Sequence, residues 1–597
     1  MSGQLIGIRE AGPRALLLEF ADLEQVLAHH QHLTRHPLPG QREAVAAART
    51  ILLRFEAPRA ARRARKEIAE LRVDASTTQD TAVVELEVVY DGEDLAEVAA
   101  LVGMSVEALI DWHTAGDWTG AFGGFAPGFT YCVPTAADRA LDVPRRTTPR
   151  TALPPGSVAL AGEFSAVYPR VSPGGWQLIG RTAARMWDLE RTADGAAEPG
   201  RVPDDAGVSP ALVRPGDTVR YRAVREAAVL TAEGASRRPG TTTTQQAAGI
   251  VGSTVPAEDA ALEVLAPGLL TLIQDFGREG LSDLGVSRAG VADEPAMRQA
   301  NRLVGNSPGA PVLEALHGGL SLRTDRNLVM AVAGAEGPLH IGHPDGGSRS
   351  ADVRAPFLLA AGESLTVGAP HRGLRAVLAV RGGIAARPVL GSASADTMSG
   401  LGPASLRAGD RIALGDCAVA PVGAPEPSTL PVPEHDGAVT LRFTRGPRDD
   451  WFSEQEVTRL QTQRWEVTQE SNRIGIRLGL SDGDSASARP LKRARDGELP
   501  SEGVPRGSLQ MPPAGLPVLF LNDHPVTGGY PVIGVVIEED LSAAAQLAPG
   551  DVVRLCAVDP VRLCAVDPVR LCAVDPSAFM PRTSSTTTST TTSEDPV

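Results

Sequence analysis

Short apolar runs bounded by turn-forming residues recur along the chain. Residues 158–161, 328–333, 376–380 and 518–521 are examples, each flanked by Gly, Pro or charged positions. Such runs read as buried strands. Helical periodicity is confined to a few places. Two helical stretches flank a strand-like segment at 51–55, and the basic run 59–66 falls on the second of them, where it reads as a solvated face. A further strand is expected at 83–90. Residues 94–103 and 105–116 read as two short helices joined at Gly103, with Ser105 as N-cap. An amphipathic helix is expected from about Glu294. The expected class is therefore β-rich α+β.

Composition shifts divide the chain of 597 residues, a length that suits about four domains. Residues 1–80 form a small mixed region and 81–225 a Gly- and Pro-dense β region. Residues 226–259, rich in Ala, Thr, Gly and Gln, read as a linker. A second compact region is split by a Pro-rich break into 260–420 and 436–558, and 559–597 is a tail. Both halves close on similar sequence: PGDTVRYRAV (215–224) and PGDVVRLCAV (549–558) are identical at seven of ten positions. PGGWQLIG (173–180) and TGGYPVIG (527–534) precede them in the same order, as do Gly-Ser pairs at 156–157 and 507–508. Two related β domains, one closing each module, are expected. In the tail VRLCAVDP starts at Val553, Val561 and Val569. The first copy would complete the last strand, and disorder is expected after about residue 577.

Charge and composition narrow the chemistry. The net charge of −15 opposes nonspecific binding to nucleic acid or anionic lipid. The helix pair at 94–116 has the outline of a DNA-reading motif, yet 91–112 holds six acids and no Lys or Arg. No uncharged apolar run approaches the about 18–20 residues that span a bilayer, so neither nucleic acid nor membrane is an expected partner. Lys66 and Lys492 are the only lysines, which leaves little room for Schiff bases, a phosphate-loop lysine or a carrier lysine for biotin. Five cysteines, three of them within the tail repeat, show no zinc or disulfide spacing. A cytoplasmic setting and no metal site are expected. GxxxxGK[ST], GxSxG, HExxH and EF-hand patterns do not occur.

Several segments could carry chemistry. GFAPGFTY (124–131) sets Phe125 and Phe129 around Pro127-Gly128, either as a ligand-facing turn or as a hairpin with buried aromatics. PRRTTPR (144–150) offers Arg145, Arg146 and Arg150 to a carboxylate or phosphate, or to surface acids. Gly174, Gly175 and Trp176 permit close backbone approach to a ligand, or simply a tight turn. In LNDHPVTGGYPVIG (521–534), Asp523, His524 and Thr527 precede Gly528, Gly529 and Tyr530, and an acid beside imidazole could move a proton or position water. An Asx turn with an exposed His is the alternative. Gln274, Asp275 and Arg278 cluster near another turn, Asn301 lies on the helix that follows, and Gln510 follows the second Gly-Ser pair.

With these segments in order, the chain resembles a fusion of the B and C subunits of 5-oxoprolinase, the pair also described as carboxyltransferase or allophanate hydrolase subunit 1 and 2 domains. The B-like run comprises GFAPGFTY, PRRTTPR, PPGSVALAGE, YPRVSPGGWQLIGRT and PGDTVRY. The C-like run comprises APGLLTLIQDFGREG, RQANRLVGN, LAVRGGI, GSASADTMSGLGP and NDHPVTGGYPVIG. The resemblance covers about residues 1–225 and 260–555. It implies two modules, each a cyclophilin-like β-barrel with a smaller α/β domain. It further implies ATP-driven hydrolysis of the 5-oxoproline lactam to glutamate, with a separate LamB/YcsF-type subunit, ATP as co-substrate and Mg2+ left open. Catalytic roles fall to Asp523, His524 and Thr527, and substrate binding to Phe125, Pro127, Gly128, Phe129, Arg145, Arg146, Arg150, Gly174, Gly175, Trp176, Gln510, Gly528, Gly529 and Tyr530. The two halves would pair within one chain or between chains. The alternatives are a urea amidolyase-like carboxyltransferase taking carboxybiotin from another protein, since no biotin attachment site is evident, or a regulator that binds a histidine kinase. Tyr131 is followed by Cys132-Val133-Pro134, a departure from the family's usual continuation of that loop.

Overall fold

The computed structural model describes residues 5–73, 82–192, 209–225, 260–417, 420–434, 436–481 and 488–559. The expected linker (226–259) and the second and third tail repeats lie outside them. The chain begins with a four-stranded antiparallel sheet in the order Gly7–Glu10, Ala15–Glu19, Thr50–Phe55, Gln41–Ala46. Helices Leu23–Arg35 and Pro58–Glu70 pack against it. Asp22 caps the first helix by accepting from the Gln25 amide at 3.0 Å, and Pro58 opens the second, where a missing N–H costs nothing. Ala61, Ala64 and Ile68 are buried while Arg59, Arg62, Arg63, Arg65 and Lys66 face solvent, as expected. Leu17, Val45 and Leu52 form a separate apolar cluster, and Leu52 lies against Gly503 of the second module.

Two seven-stranded sheets follow the same path. In the first module the hydrogen-bonding order is Val83–Val88, Thr218–Ala223, Trp118–Gly123, Thr130–Pro134, Phe164–Val167, Ser157–Ala161, Gln177–Arg181. An antiparallel bridge between Val89 and Arg181 joins the two ends. In the second module Val439–Arg445, Val552–Ala557, Trp465–Val467, Gly475–Leu480, Val518–Phe520, Ser508–Gln510 and Val532–Val536 form a closed barrel. First and last strands pair in parallel in both. Local bonds repeat as well. Trp118 and Trp465 each donate their indole N–H at 3.0 Å to the carbonyl five residues back. Ser157 and Ser508 donate to the carbonyls of Pro154 and Pro505 at 2.8 and 2.7 Å. Asp217 and Asp551 accept the amide three residues upstream at 2.8 and 2.7 Å. The internal sequence repeat is thus a repeat of barrel topology.

The second module's companion is larger and more β-rich than the small α/β domain expected. A six-stranded and a five-stranded sheet enclose a core that includes Leu262, Val264, Leu322, Met330, Val332 and Leu378. Ala331, Ala333, Val377 and Ala379 alternate with that set and pack instead against helix Glu294–Val304. Both faces of these strands are covered, so their sequence shows continuous apolar runs. Residues 1–557 form one compact unit. Among the described residues no helix is long and apolar enough to cross a membrane.

Candidate functional site

The two modules meet where backbone touches backbone. The amide of Gly128 donates to Leu284 O at 3.1 Å, and a side chain on Gly123 or Gly285 would strike the carbonyl of Asp283 or Ala126. The GFAPGF turn is therefore pressed onto the Ser282–Leu284 turn of the second module. Glu43 accepts from the hydroxyl of Ser282 at 2.5 Å, and His30 faces Asp283 at 3.0 Å. Beside this contact lies a narrow cleft with free room of about 20 Å³. Both modules line it: Glu43, Leu52 and Arg54 from the first, and Ser287, Arg288, Arg506 and His524 among those from the second.

His524 lines this cleft, and its neighbour Asp523 lies behind the wall. Asp523 is fully buried and its acceptor capacity is occupied. Arg473 donates from Nε and Nη2 at 3.0 Å each, and Thr397 donates its amide at 2.9 Å and hydroxyl at 2.6 Å. Arg473 also binds Glu314 and donates to Gly290 O at 2.6 Å. His524 is held neutral, because burial pushes its imidazole down to about 4. With Nδ1 donating to Pro525 O at 2.8 Å, Nε2 remains the acceptor.

The residue that sequence reasoning passed over is Asp396, 3% exposed. Its Oδ1 accepts from the amides of Met398 and Ser399 at 2.9 Å, and its Oδ2 is 2.8 Å from the hydroxyl of Ser287 on the cleft wall. Burial, and then the negative charge of Asp523, raise its carboxyl above the usual range. Two nearby buried carboxylates resist joint ionisation. Arg473 and Thr397 hold Asp523 in place beside Asp396, whose carboxyl is the one raised. A protonated Asp396 can donate to Ser287 and free the serine O–H for the cleft; an ionised one accepts from it. Ser287 Oγ and Asp396 Oδ2 thus form a relay able to pass a proton in either direction. The signal was present in GSASADTMSGLGP, but one-dimensional reading could not choose among its polar residues.

Most of the other nominated residues are engaged within the protein. Asp94 engages Arg146 at 2.6 Å and Arg150 in a fork at 2.8 Å, and Arg145 lies 3.9 Å from Glu498. Phe129 and Trp176 pack edge to face at 5.6 Å with Tyr131 and Tyr168 in one buried cluster, with Phe125 at its margin. Pro127 and Gly128 belong to the module contact. Gly174 pairs with Arg150, and a side chain there would strike the Tyr168 hydroxyl, while Gly175 O accepts from the Arg146 amide at 2.8 Å. Thr527 is buried and pairs with Gly503, Gly528 pairs with Glu502, and Gln510 donates to Tyr530 O at 3.4 Å. Gly529 lies near the carbonyl of Leu499, and Tyr530 is exposed with Arg493 over its ring at 5.7 Å. Of the nominated set only His524 lines the cleft, with Asp523 directly behind it. Gln274 donates to Ala395 O at 2.9 Å, Asp275 accepts from Ser392 and Ser394, and Asn301 donates to Ala310 O. Among the described residues no group of three or more His, Cys, Asp or Glu could hold a metal ion.

Residues 6–196 match the family described as carboxyltransferase domain, subdomain C and D, and residues 284–557 match carboxyltransferase domain, subdomain A and B. The C subunit of 5-oxoprolinase from Escherichia coli (strain K12) is 34% identical over 303 residues, which is 49% of this chain and 89% of that protein. The B subunit of 5-oxoprolinase from Escherichia coli O157:H7 is 37% identical over 145 residues, 24% of this chain and 58% of that protein. The urea amidolyase of Lachancea kluyveri is 28% identical over 320 residues, 50% of this chain and 17% of that protein. The crystal structure of TTHA0988 superposes with a TM-score of 0.74 at 31% identity, covering 91% of this chain and 99% of that one. The chain belongs to the carboxyltransferase-domain family and joins, in one polypeptide, regions related to the B and C subunits of 5-oxoprolinase.

Proposed function

We propose that the chain supplies the B- and C-type components of an ATP-dependent 5-oxoprolinase, which hydrolyses the lactam of 5-oxoproline to glutamate in the cytoplasm together with a LamB/YcsF-type subunit. The observation that carries this reading is the junction itself: regions related to the B and C subunits contribute facing walls of one cleft. An unstrained five-membered lactam resists water, and ATP, when bound, supplies the phosphoryl group that makes its carbonyl electrophilic. Arg288, Arg506 and Arg54 line the cleft, each paired with a carboxylate (Glu294, Glu538 and Glu43), so a polyphosphate bound there displaces those pairs. Arg288 keeps a buried Nε with no hydrogen-bond partner. Asp396, its carboxyl raised by burial, exchanges a proton with Ser287, which serves attack by water and departure of the ring nitrogen. Asp523 adds to the rise of the Asp396 carboxyl and holds Thr397. His524, neutral at working pH, presents Nε2 as an acceptor.

Similarity to urea amidolyase over half the chain supports a second reading, carboxyl transfer from carboxybiotin on another protein. Supplying the chain and its LamB/YcsF-type partner with either 5-oxoproline and ATP, or carboxybiotin and urea, separates the two. Glutamate formation in the first mixture supports the lactamase reading. Carboxylated urea in the second, without glutamate in the first, refutes it.

A further inference from the structure

Two arginines at the module junction lack the partners that the other buried arginines have. Arg278 is 3% exposed; it donates from Nη2 to Ser394 O at 2.7 Å and from Nε to Val389 O at 3.3 Å, and its buried Nη1 has no partner. Arg170 is half-buried, and its Nε is likewise buried and unpartnered. Among the described residues neither guanidinium forms an ion pair, whereas Arg54 pairs with Glu43, Arg288 with Glu294, Arg473 with Asp523 and Arg506 with Glu538. An arginine cannot shed its proton, so a desolvated one without a counter-ion costs several kcal/mol. Two such groups against one loop leave donors open to an anion from outside the chain.

Both press on one loop. Arg278 binds the carbonyls of Val389 and Ser394, and Arg170 Nη1 lies 3.6 Å from where a Cβ on Gly400 would stand. Asp396 lies in the same loop and is the leading attractive charge for each, with Asp275 and Asp523 further contributors at Arg278. Burial, and then the charge of Asp523, raise the Asp396 carboxyl, and it makes no ion pair with either guanidinium among the described residues. The barrel repeat explains the placement. VYPRVSPGGW (167–176) in the first barrel corresponds to LNDHPVTGGY (521–530) in the second, which puts Arg170 at the position of His524. The corresponding loops of the two barrels therefore serve the same junction, one with a base and one with a cation.

We propose that Arg170 and Arg278, one from each module, form the binding site for the carboxylate of a small substrate, whose reacting group then lies beside Ser287 and Asp396. Planar guanidinium forks match a carboxylate in shape, and two unpaired cations beside an acid suit a monoanion better than a phosphate dianion. The assignment rests on reading the junction as the substrate site. In 5-oxoproline the carboxylate is on the ring carbon next to nitrogen, so clamping it fixes the lactam's position.

The test is equilibrium binding by the full chain, with and without the LamB/YcsF-type partner, of 5-oxoproline, acetate, inorganic phosphate and 2-pyrrolidinone, the same lactam without the carboxylate. Wild type is expected to bind 5-oxoproline at least about tenfold more tightly than 2-pyrrolidinone, and Arg170→Met and Arg278→Met are each expected to lose about tenfold or more. Arg170→Met should melt at or above the wild-type temperature, a result that a structural role for Arg170 does not give. If Arg278→Met fails to fold, Arg170→Met and Arg170→Lys decide. Unchanged 5-oxoproline binding by the variants, equal affinity for 2-pyrrolidinone, or tighter arginine-dependent binding of phosphate overturns the site. Arginine-dependent acetate binding without 5-oxoproline binding keeps the carboxylate site and removes the lactamase reading instead.

Discussion

Replacing Asp523 by Asn changes one oxygen to an amide nitrogen at a fully buried position. Oδ1 accepts one bond, from Arg473 Nη2, and Oδ2 accepts three, from Arg473 Nε and from the amide and hydroxyl of Thr397. The lower-cost orientation keeps oxygen at the Oδ2 position and turns NH2 toward Arg473 Nη2, setting donor against donor. The substitution removes a charge-assisted bond, weakens three more and leaves Arg473 with Glu314 as its one carboxylate. Breaking a buried pair costs about 3–5 kcal/mol, and the surviving Glu314 contact places this case near about 3 kcal/mol. At just under about 1 °C per kcal/mol for a cooperative unit of this size, the melting temperature should fall by about 2–3 °C. A second effect separates this account from simple destabilisation. Without the charge of Asp523, Asp396 ionises at lower pH, so the limb of the pH–rate profile that Asp396 sets should move downward in the folded variant. The assay pairs thermal melts with initial rates across pH. A melting temperature equal to that of wild type, together with an unmoved Asp396 limb, would refute the reasoning.

His524 and His113 are both buried and neutral, the first pushed down to about 4 and the second to about 3, so each favours the folded state above pH 6.5 and loses that contribution as pH falls toward its folded value. For His524 the loss amounts to about 3 kcal/mol between pH 6.5 and 4, and a melt series in which His524→Gln is as acid-sensitive as wild type contradicts it. Arg448 joins the modules, reaching Glu19 of the first at 2.5 Å and buried Glu502 of the second. Arg448→Met strands Glu502 and should cost about 3–5 kcal/mol in denaturant titrations, so a wild-type midpoint refutes the bridge. Truncation after Asp559 leaves the last barrel strand, Val552–Ala557, complete, and melting temperature and activity should both be retained; loss of either shows that the later repeats contribute.

The architecture was largely legible because it rests on local signals. Ser105 accepts from the Ala108 amide at 3.1 Å and opens helix Val106–Thr114 after helix Leu95–Leu101, where capping logic puts them. The PGD turns, Gly-Ser pairs and paired glycines mark equivalent points in both barrels. The site was less legible because its meaning depends on long-range pairing. Arg146 and Arg150 look available in sequence until Asp94, more than fifty residues upstream, engages both. Asp523 looks like a water-positioning acid until Arg473, fifty residues upstream, binds it through two nitrogens. Arg170 and Arg278 gain significance from what they lack, and periodicity carries no such information. Asp396 differs from the acids around it only through burial beside another carboxylate.

The central claim, that one chain joins B- and C-type halves into a shared lactamase site, is tested most directly by measuring glutamate and phosphate released from 5-oxoproline and ATP. The purified chain is assayed alone and with the LamB/YcsF-type protein. Equimolar release in the mixture, abolished by Asp396→Asn and Ser287→Ala in folded variants, is the predicted result. Silence in the mixture with both proteins folded, or full activity in those variants, contradicts it.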